Sequence, residues 1–153
     1  METGYCVEQL RKLCAIDSPS GFTERAADYL MEELARLGYA PEKTRKGGVT
    51  VCLGGEREGL LLMAHVDTLG AVVQSIKSNG RLLLSPIGGL RAENCEAENC
   101  VIYTRFGGAY TGCLQLCDAS VHVNGDYGEK KRKFEAMEVV IDEPVAVSYT
   151  HLR

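Results

Sequence analysis

The chain has 153 residues, a formal net charge of −4 and 45% hydrophobic content, enough for one ordinary domain or two small ones. An acidic balance offers no basic field, so nucleic acid and anionic membrane surfaces are not expected partners, and a small substrate is. Glu2 stands where a leader would carry cations, and no apolar stretch reaches the length of a bilayer span, so the expected location is cytoplasmic.

Taken in order, the chain opens with Cys6, Leu10, Leu13 and Cys14 at the spacing of one helical stripe, for which Thr3 is placed as N-cap. Asp17-Ser18-Pro19-Ser20-Gly21 then reads as a turn, because Pro19 restricts Ser18 and Gly21 accepts positive φ. A second helix is predicted from Thr23 to about Leu37. Ala26, Ala27, Leu30, Leu34 and Leu37 share one of its faces, and Gly38 stands just past its end.

After Pro41 the period changes to that of strands. Val49–Leu53 and Leu60–His65 are predicted as strands around a Gly-rich turn. The apolar run Leu60-Leu61-Leu62-Met63-Ala64 is expected to be buried on both faces, as in a helix-covered sheet. Further strands are expected over Ala71–Ile76 and Arg81–Ser85, either side of the Ser78-Asn79-Gly80 hairpin signal, and over Val101–Thr104, Ala109–Leu116, Ser120–Val123 and Met137–Ile141. Short strands at this turn-punctuated spacing suggest a small barrel or sandwich. The division that follows is an α/β part over 1–67 and a β part over 68–145.

The candidate chemistry lies at the end of the Leu60–His65 segment. His65 and Asp67 are two residues apart, so on an extended chain they point to one side. A neutral imidazole is a common zinc ligand, and a neighbouring carboxylate fixes its tautomer and raises its basicity. A purely structural hydrogen bond between the two is the bland alternative. Their position at a strand end and at the boundary between the two parts favours function.

Other features carry less. The seven cysteines are odd in number and lack a Cys-x-x-Cys; Cys95 with Cys100 and Cys113 with Cys117 do not have the spacing of a zinc knuckle, so all are read as small hydrophobes. Lys130-Lys131-Arg132-Lys133 is read as a solvated loop, and Glu135, Glu138, Asp142 and Glu143 as solvated surface charge. No Walker spacing and no Gly-x-Ser-x-Gly elbow is present.

The order of Ser20-Gly21-Phe22-Thr23-Glu24, Ala64-His65-Val66-Asp67-Thr68-Leu69-Gly70, Ser78-Asn79-Gly80 and Pro86-Ile87-Gly88-Gly89 resembles the glutamyl and tetrahedral aminopeptidases, family forty-two of the metallopeptidases, over roughly Val7 to Val145. The resemblance implies the start of an α/β catalytic domain over 1–67, followed by an inserted PDZ-like β-barrel over 68–145 used in subunit contacts. It implies two divalent metals, zinc or cobalt, in the complete enzyme, with His65 a ligand and Asp67 its support. It further implies release of N-terminal residues from short peptides, inside a homo-oligomer. The family's remaining ligands and general base lie beyond the inserted domain, and neither His122 nor His151 matches a ligand position. The chain alone is therefore expected to be inactive, and residues 146–153 are expected to be a non-native tail of a truncated gene model. A non-catalytic self-association module is the alternative reading. An aminoacylase- or carboxypeptidase-like amidohydrolase, whose family also carries a His-x-Asp after such a strand, is the second.

Overall fold

The second helix shows most directly how local sequence becomes structure here. In the computed structural model, which describes residues 3–55 and 59–143, helix α2 runs Glu24–Arg36 and buries Ala26 and Ala27. It ends where the sequence says it must. Gly38 takes φ +89°, and the Tyr39 and Gly38 amides donate to the Leu34 and Ala35 carbonyls at 3.1 and 2.9 Å, the paired closure that a left-handed residue permits.

The chain divides into two units, Met1–Gly70 and Ala71–Arg153. The first contains α2, helix α1 (Thr3–Cys14) and an antiparallel pair of two-residue strands, β1 (Glu42–Lys43) and β2 (Val49–Thr50). Polar contacts join the two helices: the Tyr5 hydroxyl donates to Glu33 at 2.6 Å, and that of Tyr29 to Gln9. The apolar stripe expected on α1 is not buried; Cys6, Leu10 and Cys14 are exposed, since nothing among the described residues covers that face.

The largest departure from expectation is Leu60–His65. No strand forms there, and Leu60, Leu61, Leu62 and Met63 are 87, 78, 72 and 84% exposed. An apolar run becomes a doubly buried strand only with a strand on each side and a layer over each face. Among the described residues, the nearby backbone pairing is a single parallel bridge between Pro19 and Thr68. Val49–Leu53 is likewise reduced to the two residues of β2.

The second unit, with Gly70 at the boundary, holds a five-stranded sheet made of β3 (Gly70–Ile76), β4 (Leu82–Ile87), β5 (Asn99–Tyr103), β6 (Ala109–Leu116) and β7 (Met137–Ile141), in the order β3-β4-β7-β6-β5. β6 and β7 pair antiparallel, with Leu114 opposite Val139 and Leu116 opposite Met137. Leu82, Ala92, Leu114, Leu116, Phe134, Met137 and Val139 form the core. The described pairings leave β3 and β5 as edges and do not close a barrel. Ser120–Val123 is a turn and not a strand, with the Asn124 amide donating to the Ser120 carbonyl at 2.9 Å.

Two charge assignments also change. Glu138, expected on the surface, is 1% exposed. It receives Lys77 Nζ at 2.6 Å and also Arg81 Nη1. Two cations that reach it from the turn between β3 and β4 make its burial tolerable. In the basic run, Lys130 reaches Asp118 at 2.6 Å, while Arg132 reaches Glu96 at 2.7 Å and lies over the Tyr127 ring at 4.9 Å. Those two cations pin the long loop between β6 and β7. Cys95 and Cys100 pack against the core, and burial pushes both thiols up from their ordinary value. The expected tail over 146–153, with His151, lies outside the described residues.

Among the described residues no helix is long and apolar enough to cross a membrane. The architecture is mixed α/β.

Candidate functional site

His65 and Asp67 lie in the first unit, on the irregular segment that leads to Gly70. The imidazole Nδ1 is 3.0 Å from the Asp67 carbonyl oxygen and 3.2 Å from Asp67 Oδ1. Both of those oxygens are acceptors, the carboxylate being ionised, so Nδ1 must carry the proton in the neutral ring. Nε2 is left with its lone pair. The His65 side chain is 86% exposed, so packing does not orient the ring and Asp67 does.

Asp67 is itself held. The Ser20 hydroxyl donates to Asp67 Oδ2 at 2.6 Å across 47 positions of sequence. That hydrogen bond, more than any other influence, keeps the Asp67 carboxyl below its ordinary value; partial burial opposes it, and His65 adds to it. Ser20 is delivered by the turn after α1. The Thr68 amide donates to the Ser18 carbonyl at 2.7 Å and the Phe22 amide to that of Pro19 at 2.7 Å, while Ser18 itself is buried.

Ser20 was absent from the candidates drawn from the sequence. Its only trace there is the recurrence of Ser20-Gly21 and His65-x-Asp67 in one motif order. Nothing in 47 intervening positions announces that the two segments touch.

The pair fits one ligand position of a metal centre, a neutral imidazole with a free Nε2 and a carboxylate behind it. It does not complete such a centre: among the described residues no group of three or more His, Cys, Asp or Glu could hold a metal ion. His122 is exposed in the turn after β6. A cavity of about 560 Å³ opens elsewhere in the first unit, lined by Phe22, Glu24, Lys43, Arg45 and Lys46 among others. Neither His65 nor Asp67 lines it.

Comparison with known proteins gives the chain its context. It is 40% identical over 141 residues to YhfE, a proposed aminopeptidase of Bacillus subtilis (strain 168), covering 91% of this chain and 41% of that protein. Its fold matches the TET aminopeptidase of the marine sediment archaeon Thaumarchaeota archaeon SCGC AB-539-E09, with a TM-score of 0.79 and 22% identity, over 93% of this chain and 39% of the other. It also matches the Pyrococcus horikoshii TET1 peptidase, which can assemble into a tetrahedron or a large octahedral shell, with a TM-score of 0.75 and 23% identity, over 89% of this chain and 40% of that one. The chain thus spans about two fifths of the length of these relatives. The M42 glutamyl aminopeptidase family model matches residues 47–149, a stretch that holds both members of the His65–Asp67 pair, and the chain belongs to that family.

Proposed function

We propose that this chain supplies part of a metal-dependent aminopeptidase that removes N-terminal residues from short peptides. His65 is one ligand of a two-metal centre, zinc or cobalt, and Asp67 is its supporting carboxylate. The single observation that carries the assignment is the His65 geometry: Nδ1 is engaged by Asp67 at 3.0 and 3.2 Å, which leaves Nε2 its lone pair on a side chain that is 86% exposed. When bound, a pair of divalent ions supplies Lewis acidity and lowers the pKa of water. The chain's own part is to present Nε2 in one tautomer and one direction. The remaining ligands and the general base are outside the described residues, so the chain alone is inactive in this reading.

The second unit serves self-association as the inserted, PDZ-like β domain. Its two edge strands support this, as do Val72, Val73 and Ile76 exposed along β3, because an open edge with apolar side chains is a template for pairing. A cytoplasmic location belongs to the same reading and is supported by seven free thiols.

The test is the full-length product of the gene, purified with and without His65→Ala. The expected result is loss of bound metal together with loss of N-terminal residue release from short peptides. Unchanged metal content and activity in the variant would overturn the assignment.

A further inference from the structure

We propose that Ser20 is a positioning residue for the His65 imidazole: its hydroxyl fixes the Asp67 carboxylate, and the fixed carboxylate decides which ring nitrogen of His65 faces outward. The inference deepens the metal-site reading and rests on it for its purpose, though not for its geometry.

The ring is 86% exposed, so no wall of side chains selects its orientation. Selection falls to the acceptors at Nδ1, the Asp67 carbonyl and Oδ1. The carbonyl is backbone and stays wherever the segment stays. Oδ1 lies on a side chain that is itself 42% exposed, and an exposed carboxylate left to itself rotates among several arrangements. Ser20 removes that freedom. It occupies Oδ2 at 2.6 Å, so one oxygen is held by the serine and the other is turned to the imidazole.

The serine can do this because its own mount is fixed. Pro19 bridges Thr68 in parallel, and the Thr68 amide donates to the Ser18 carbonyl at 2.7 Å. Both ends of the Ser20–Asp67 hydrogen bond are therefore tied one or two residues away. Gly70 allows this approach, since a β-carbon there would stand 2.6 Å from Pro19 Cβ. A hydroxyl, a carboxylate and an imidazole thus form a chain of three hydrogen-bonded groups that ends in a free Nε2. A metal ligand needs that nitrogen unprotonated and constant in direction.

The experiment uses the full-length product of the gene, freed of metal, at pH 8, with nitrogen-15 NMR of the His65 ring as the primary readout. In the unsubstituted chain the Nδ1–H tautomer should predominate. Ser20→Ala should shift the population toward Nε2–H by about twofold or more, and Ser20→Thr, which keeps the hydroxyl, should restore it. The α2 amide shifts should be unchanged in both variants, which separates positioning from misfolding. A second arm titrates each protein with Co²⁺ alone. Ser20→Ala should weaken binding roughly tenfold or more, the usual effect of removing an outer partner of a ligating histidine, and His65→Ala should abolish it. A tautomer ratio unmoved by Ser20→Ala, or not restored by threonine, overturns the role of Ser20. Cobalt binding unmoved by His65→Ala, alongside a shifted tautomer, overturns the metal reading and leaves Ser20 as the orienting group.

Discussion

Gly70 runs so close to Pro19 that a β-carbon on the glycine would stand 2.6 Å from the β-carbon of the proline. Non-bonded carbons do not approach so closely, and the neighbour is a rigid ring, so any larger residue must push the segments apart. Gly70→Ala should cost about 1–3 kcal/mol, the range for forced overpacking. The loss should be local. Hydrogen exchange at the Thr68 amide, which donates to Ser18 at 2.7 Å, should accelerate roughly tenfold for each 1.4 kcal/mol. Unchanged protection of that amide would show that the two segments tolerate separation.

The buried carboxylate of the second unit predicts an asymmetry. Glu138 is 1% exposed, while the Lys77 and Arg81 side chains that pair with it are 36% and 38% exposed. Removing the carboxylate leaves two cations that can turn to water; Glu138→Gln should cost about 1–3 kcal/mol, the loss of charge-assisted hydrogen bonds. Removing both cations leaves a charge in the dark, which is worse. The double variant Lys77→Met, Arg81→Met should therefore lower the urea midpoint further than Glu138→Gln does. The reverse order would contradict the account.

How much of this was readable in advance depends on the range of the interactions. β6 over Ala109–Leu116 and β7 over Met137–Ile141 follow the predicted bounds, because alternation and flanking turns are local signals. α2 ends as expected for the same reason: Gly38 acts on the turn immediately before it. Glu138 was misread because its partners Lys77 and Arg81 lie 61 and 57 positions away, and a carboxylate in a strand looks the same with or without them. Ser20 escaped for the same reason. His65 and Asp67, two apart, were legible together, and the strand expected before them was not realised because a strand is a property of its neighbours as well as of its sequence.

Acid should weaken both units, with a sign set by depressed carboxyl values. The Arg36 guanidinium first, and then the Tyr5 hydroxyl, draw Glu33 down from 4.5 to about 2. Burial pushes Glu138 up, but the Lys77 and Arg81 hydrogen bonds outweigh it and hold this carboxyl below its ordinary value too. A carboxyl depressed in the folded state adds stability that is complete above its unfolded value and is lost as pH falls through the folded one. For Glu33 that window runs from 4.5 down to about 2. Urea midpoints should therefore fall between pH 5 and pH 3 by less in Glu33→Gln than in the unsubstituted chain, provided the helix pair is followed. Equal falls would remove Glu33 from the account.

At Leu61 and Met63 exposure and chemistry disagree. At 78% and 84% exposed they contribute little burial to the described fold, yet with Leu60 and Leu62 they make four consecutive apolar side chains open to water. Such a run, free of charge and proline, is a site for association between chains. Replacing Leu61 and Met63 with lysine should raise the fraction of chain in solution several-fold and lower light scattering. It should leave the urea midpoint unchanged, since surface substitutions away from special features stay within about 0.5 kcal/mol. The two readouts separate the alternatives. A midpoint that fell with the substitution would mean that these side chains are packed in solution, and that the expected strand forms there after all.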